Sequence, residues 1–228
     1  MGSWRQGVDC ISEESQLMKI IVRQATASDL SAILEIEMDW PEEQRCTLEK
    51  FISRMDIFPE GFFVVELDSE LVAVSTSTLV KYNAESIQYF SSWDLCTNDG
   101  FLRHLEGFEN YNALYIVSNG IMKKARRIGI REEIIKSHFQ LAKDLGMKYV
   151  VTGAMIPGYR SFCQSRGFLP APDYATLEEN GRLIDPTLRK LKSLGLKLPT
   201  KEHIIENFYP SPESHDFGAL LVYEVDPE

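Results

Sequence analysis

The sequence predicts an α+β (mixed α/β) domain. Three observations carry that prediction. Apolar runs of strand length alternate with segments whose apolar residues recur at helical spacing. Two strand-like runs flank Asp68-Ser69-Glu70, which is a hairpin signal. A strand, a basic glycine-containing turn, a helix and another strand then follow one another between residues 113 and 153. At 228 residues the chain fits one domain with additions.

The elements are justified in order. Residues 1–18 show no sustained period and read as an N-terminal extension of a domain at 19–228. Ile20 to Gln24 is a strand. Thr26-Ala27-Ser28-Asp29 caps a helix whose buried stripe is Leu30, Ile33, Leu34 and Ile36, ending before Pro41. A second helix starts at Thr47 and carries Leu48, Phe51, Ile52 and Met55. Phe58-Pro59-Glu60-Gly61 is a turn. Phe62 to Glu66 and Leu71 to Thr78 form the hairpin. Residues 80–112 are weakly periodic and read as a long loop over one face. Ala113 to Ile121 is a strand. The turn Lys123-Lys124-Ala125-Arg126-Arg127-Ile128-Gly129 leads into a helix with Ile130, Ile134, Ile135, Phe139, Ala142 and Leu145 at helical spacing, stopped by Gly146. Lys148 to Gly153 is the next strand. Residues 155–183 read as an irregular insertion. Asp185-Pro186 caps a short helix with Leu188, Leu191 and Leu194. Leu196-Lys197-Leu198 and Gly218 to Val225 are the closing strands.

Composition excludes several classes. The net charge is −10 and the sequence pI about 5.0, which disfavours nucleic acid and anionic lipid as partners. Cys10, Cys46, Cys96 and Cys163 lie far apart, with no zinc-ligand spacing, so neither a metal nor a disulfide framework is expected. No apolar run has the length of a membrane span. A secretory apolar stretch is missing, and Gln6 stands where a myristoylation signal wants Ser or Thr. The expectation is a cytoplasmic protein with no membrane partner.

The basic turn is the segment that carries chemistry. A helix N-terminus leaves backbone N–H groups unpaired and bears partial positive charge. Arg126, Arg127 and Arg131 crowd that end around Gly129, opposing the dipole. A bound phosphate or pyrophosphate resolves the conflict. The alternative is a solvated basic turn.

These residues resemble the pyrophosphate loop of the GCN5-related N-acetyltransferases (GNAT), Arg/Gln-x-x-Gly-x-Gly/Ala between a strand and a helix. The match is Arg126-Arg127-Ile128-Gly129-Ile130-Arg131, with Arg131 in place of the second small residue. The resemblance spans about residues 19–226. A narrower one rests on Trp93-Asp94-Leu95-Cys96-Thr97-Asn98-Asp99-Gly100, Ala113-Leu114-Tyr115, Gly153-Ala154-Met155-Ile156-Pro157-Gly158-Tyr159 and Asp185-Pro186-Thr187-Leu188. It is similar to acetyltransferase-like domains fused to nitrilase-type amidases and to acyl-loading domains of polyketide synthases, in which a segment like 159–183 is a usual insertion.

The resemblance implies a GNAT-type acyl-CoA N-acyltransferase fold: a twisted, mostly antiparallel mixed sheet flanked by helices, with one parallel strand pair that splays. It implies acyl-CoA, with acetyl-CoA as donor, held by Asn119, Ile121, Arg126, Arg127, Ile128, Gly129, Ile130 and Arg131, with Gly120 beside them. The thioester then lies near Thr152 and Gly153. Many relatives use a tyrosine as the acid for the leaving thiolate. Two alignments put Cys163 or Leu191 at that position, and Tyr159 or Tyr174 is a substitute from the inserted segment. Loading-domain relatives use a Trp, a Thr, a His and an Arg. Trp40 and Thr152 match the first two, Leu191 stands at the His position, and Asn207-Phe208-Tyr209 holds no Arg. The alternatives are a helix-end core aromatic for Trp40 and a β-branched strand residue for Thr152. Glu66 and Asp94 are candidate bases. His104, His138, His203 and His215 are single histidines, read as surface or core.

The leading reading is an acyl-CoA-dependent N-acyltransferase acting on a primary amine acceptor, with a homodimer as a further expectation. The alternatives are transfer to a carrier-protein thiol and an acyl-CoA-binding module with little or no transfer activity.

Overall fold

The computed structural model describes residues 19–226, so the N-terminal extension lies outside the described residues. The chain runs β1 (Ile20–Gln24), α1 (Leu30–Glu37), α2 (Leu48–Ile57), β2 (Phe62–Leu67), β3 (Glu70–Val80), α3 (Trp93–Thr97), β4 (Ala113–Ile121), α4 (Ile130–Asp144), β5 (Tyr149–Met155), α5 (Tyr159–Arg166), α6 (Ala171–Thr176), β6 (Glu178–Glu179), β7 (Arg182–Leu183), α7 (Pro186–Ser193), β8 (Ile204–Ile205) and β9 (Gly218–Glu224). Seven strands form one sheet in the order β1-β2-β3-β4-β5-β9-β8, and β6 pairs with β7 as a separate hairpin. Every neighbouring pair in the large sheet is antiparallel except β4–β5, which is parallel. None of the described helices is long and apolar enough to cross a membrane.

Local chemistry explains the first half. Asp29 accepts from the Thr26 amide at 2.8 Å and ties the start of α1 to β1 through two contacts from Arg23, each 2.8 Å. The Arg23 guanidinium holds the Asp29 carboxyl well below the usual carboxylate range. Asp68 and Ser69 both have positive φ, as a two-residue hairpin turn requires, which joins β2 to β3. Thr47 caps α2 as read from sequence. That helix is rotated from the expected stripe, however. Leu48 and Ile52 are exposed at 39% and 42%, whereas Arg54 is 1% exposed. The cation is buried because its guanidinium finds three oxygens there, described below.

Three other expectations are corrected. The 80–112 segment is ordered around Tyr82, Phe90, Cys96 and Leu102, all buried, and contains α3. The 155–183 segment holds two helices and a hairpin instead of irregular chain. Pro170 fixes the start of α6, and the Tyr159 hydroxyl donates to the Leu169 carbonyl at 2.7 Å. Burial pushes that phenol up to about 12. Leu196 to Leu198 makes a single bridge, Lys197 to Val222, instead of a strand. The strand beside β9 is the short β8.

Asp185 joins the insertion to the rest of the domain. One carboxylate oxygen accepts from the amides of Thr187 and Leu188, at 2.9 and 3.0 Å, and so caps α7. The other accepts from the Gly158 amide and the Tyr174 hydroxyl, each at 3.1 Å. The residue is 1% exposed.

Candidate active site between the splayed strands

Strands β4 and β5 pair only from Ala113 with Tyr149 to Ile116 with Thr152. Beyond that rung β4 stays with β3 and β5 stays with β9. The edge of β4 from Val117 to Ile121 therefore carries no ladder partner on the β5 side. A bulge marks the parting: Thr76 faces Ser118 and Ser77 faces Ile116, leaving Val117 as the extra residue.

The bulge is held from below. The Trp93 indole N–H donates to the Val117 carbonyl at 2.9 Å, and the Trp93 amide donates to the Phe208 carbonyl at 2.8 Å. Arg54 Nε donates to the Gly100 carbonyl at 2.8 Å, and its Nη1 reaches Thr76 Oγ1 at 3.1 Å and Ser118 Oγ at 2.9 Å. The Trp93–Gly100 motif is thus the support of the splay, and Gly100 takes φ +77° to present its carbonyl.

The basic turn closes one end. Asp39, just past α1, accepts from the Lys123 amide at 2.6 Å. Arg126 donates through Nε to the Ile121 carbonyl at 3.1 Å and lies over the Trp40 ring at 5.8 Å. Gly129 caps α4 with φ +84°, and a Cβ built there meets nothing within 4 Å. Arg126, Arg127 and Arg131 are exposed, Ile128 and Gly129 half-buried, and Ile130 buried in the core. Desolvation of its guanidinium pushes the Arg131 pKa down, against the pull of Glu132 and with a smaller push from Arg126.

These features test whether acyl-CoA fits. The loop offers exposed cations and an open glycine at a helix N-terminus. Next to it β4 offers an unpaired edge. At the vertex Tyr115 is wholly buried, and its hydroxyl has no hydrogen-bond partner. A Cβ on Gly153 would stand 3.1 Å from that oxygen. The donor set and the shape fit the group.

Of the residues singled out from sequence, Asn119 and Ile121 lie on the unpaired half of β4. Trp40 goes with Arg126 at the loop. Thr152 is the last β5 residue paired to β4, its hydroxyl 3.5 Å from the Ile116 carbonyl. Neither tyrosine of the insertion is free for the gap, because Tyr159 is bound to Leu169 and Tyr174 to Asp185. Cys163 is half-buried in α5, and Leu191 belongs to the core under α7. Glu66 is spent on an ion pair with Arg23 at 2.8 Å.

Sequence reasoning missed Glu37 and Tyr209. Glu37 lies against the unpaired half of β4: its Oε1 is 2.9 Å from where a Gly120 Cβ would be, and its Oε2 accepts from the Cys46 amide at 2.7 Å. Burial raises its pKa against the opposing Cys46 bond and Arg54. Tyr209 packs edge-on against Trp93 at 5.3 Å. Burial, then Asp94, Glu37 and Cys46, raise its phenol. The signal for Glu37 was in the text: it falls at i+7 of the Leu30, Ile33, Leu34 stripe, an acid on an apolar face.

No family model matches the chain. Among curated proteins it is similar to the uncharacterized N-acetyltransferase YkwB of Bacillus subtilis (strain 168), 21% identical over 210 residues, covering 90% of this chain and 88% of that one. It is also 24% identical over 175 residues to the probable hydrolase YhcX of the same organism, covering 75% of this chain but only 32% of that longer protein. Among solved structures, the loading GNATL domain of CurA from Lyngbya majuscula superposes with TM-score 0.74 at 21% identity, covering 91% of this chain and 98% of that one. The GphF GNAT-like decarboxylase, solved with isobutyryl-CoA, gives 0.74 at 19% identity, covering 90% and 100%. The fold is that of the GCN5-related N-acetyltransferases. Of the proteins that share it, the two superposed structures are a loading domain and a decarboxylase, and the curated relative covered over most of its length carries the name of an uncharacterized N-acetyltransferase.

Proposed function

We propose that the protein is an acyl-CoA-dependent acyltransferase that moves an acetyl group from acetyl-CoA to a primary amine. The observation that carries the reading is the parting of β4 from β5 after Ile116 and Thr152, with the Arg126–Gly129 loop at the far end of the exposed β4 edge. Arg126, Arg127 and the first amides of α4 hold the pyrophosphate. The β4 edge takes the pantetheine arm, which brings the thioester toward the bulge at Val117. The donor supplies an activated acyl carbon with a thiolate leaving group.

The chain supplies the proton handling. The amine nitrogen forms a bond to the acyl carbon as the carbon–sulfur bond breaks. Glu37 takes the proton the amine loses, directly or through one water, and the Tyr209 hydroxyl gives a proton to the departing sulfur. The environments suit both roles: a buried carboxyl with raised pKa is a better base near neutrality, and a raised phenol stays protonated. A net charge of −10 steers a cationic acceptor.

The test is release of free CoA thiol from acetyl-CoA with a panel of primary amines. Wild type should turn over, with an acidic limb in the rate profile above the ordinary glutamate range of about 4.3. Glu37→Gln should lower kcat about 100-fold and remove that limb. The same substitution should remove a slope in stability. A carboxyl whose folded pKa exceeds its unfolded one binds more protons when folded, so stability falls as pH rises through that window. Turnover by Glu37→Gln at the wild-type rate would exclude this base.

A second reading is transfer to a carrier-protein thiol, favoured by the TM-score of 0.74 to a loading domain. It predicts thiol release with phosphopantetheinyl carrier protein and none with any amine. Leu191 in the core, where those relatives place a His, speaks against it.

A further inference from the structure

A buried polar cluster sits behind the unpaired edge, on the α4 side of the sheet, and the reaction above does not use it. Ser75 and His138 are both 0% exposed. Ser75 Oγ is 2.7 Å from His138 Nε2, 2.6 Å from Asn119 Oδ1 and 3.1 Å from the Ser118 carbonyl oxygen. His138 Nδ1 has no partner, and Phe63 lies edge-on against the ring at 5.0 Å. Burial pushes the imidazole down to about 3, so it is neutral at working pH.

A neutral imidazole has one N–H, which fixes the direction of the chain. A proton on Nδ1 would leave a buried donor with no acceptor, the costlier orphan. The proton therefore sits on Nε2 and is donated to Ser75 Oγ. The single Ser75 proton is then free for an acceptor, and the shorter contact is to Asn119. This direction requires the carboxamide oxygen, not its nitrogen, at Ser75. Asn119 Nδ2 keeps both N–H donors, and neither has a protein partner among the described residues.

We propose that His138 and Ser75 are positioning residues for acyl-donor binding: they lock the Asn119 carboxamide so that its Nδ2–H donors serve a carbonyl of the pantetheine arm at the unpaired β4 edge. This rests on the reading that acyl-CoA lies along that edge. It gives a role to a fully buried serine that stands opposite a helical histidine. It also assigns the Asn119 side chain a role beyond that of its backbone.

The test is isothermal titration with free CoA and with adenosine 3′,5′-bisphosphate, which lacks the pantetheine arm. Asn119→Ala should weaken CoA about five- to tenfold, the size of one neutral hydrogen bond, and leave the nucleotide unchanged. Ser75→Ala should weaken CoA similarly, but add little in the Asn119→Ala background, because it acts through Asn119. His138→Leu should copy Ser75→Ala, and His138→Gln, whose amide can donate to Ser75, should restore affinity. Wild-type CoA affinity in Asn119→Ala, equal loss of both ligands, or full additivity of Ser75→Ala and Asn119→Ala would overturn the proposal. Failure of the wild-type protein to bind CoA at all would instead overturn the site reading on which it rests.

Discussion

Asp185→Ala is expected to lower the melting temperature by about 10 °C. The substitution strips one oxygen from the first turn of α7 and the other from Gly158 and Tyr174, orphaning four donors. Loss of an N-cap costs about 1–2 kcal/mol. The buried Tyr174 hydroxyl and Gly158 amide add about 1–3 kcal/mol between them when left unpaired. Together this is roughly 4 kcal/mol, or about 10 °C for a domain of this size. Asp185→Asn should recover part of the loss. Its oxygen can still cap the helix, but its NH2 then faces the Gly158 amide as donor to donor. Thermal melts by circular dichroism decide the matter. A shift under about 2 °C would mean that the insertion is not held through this carboxylate.

The second large effect is on binding. Arg126→Ala with Arg127→Ala should weaken acetyl-CoA and free CoA about 100-fold by titration, with little change in melting temperature. Each charge-assisted contact to a phosphate is worth about 1.5 kcal/mol, and 1.4 kcal/mol is tenfold in affinity. Both side chains are exposed, so the fold does not depend on desolvating them. Arg126 also holds the Ile121 carbonyl and covers Trp40, so its loss frees the end of β4 as well. Wild-type binding should weaken with salt, and the variant should show a shallower dependence. Unchanged affinity in the double variant would move the pyrophosphate off this loop. It would leave the charge conflict at α4 without a ligand to resolve it.

Elements whose cause is local were legible. β1 matches the residues read from sequence, and the hairpin turn falls at Asp68 and Ser69, where short polar residues tolerate positive φ. The start of α7 at Asp185-Pro186 follows from a cap and a proline whose missing N–H costs nothing there. Elements whose cause is distant were misread. The spacing of Leu48, Phe51, Ile52 and Met55 predicts the α2 stripe, yet the helix turns Arg54 inward because Gly100, Thr76 and Ser118 supply oxygens that no sequence period displays. The glycines and prolines of the 155–183 segment predict irregular chain on a local reading. Its helices are stabilised by Tyr159, Tyr174 and Asp185 meeting across the sequence.

The same division runs through the site. By itself the sequence determined the basic loop, since three arginines and a glycine at a helix start make a charge conflict that is visible in one short window. It also determined which strand precedes that loop, and so placed Asn119 and Ile121. Only the tertiary structure decided that β4 leaves β5 after Ile116, because ladder pairing depends on partners far apart in the chain. It likewise decided that Glu37 and Tyr209 share a neighbourhood, and that Ser75, Asn119 and His138 form one chain of hydrogen bonds. Each of those groups is ordinary in its own segment. Their protonation and direction are set by burial and by what stands opposite, and both quantities exist only once the sheet and its helices have closed on one another.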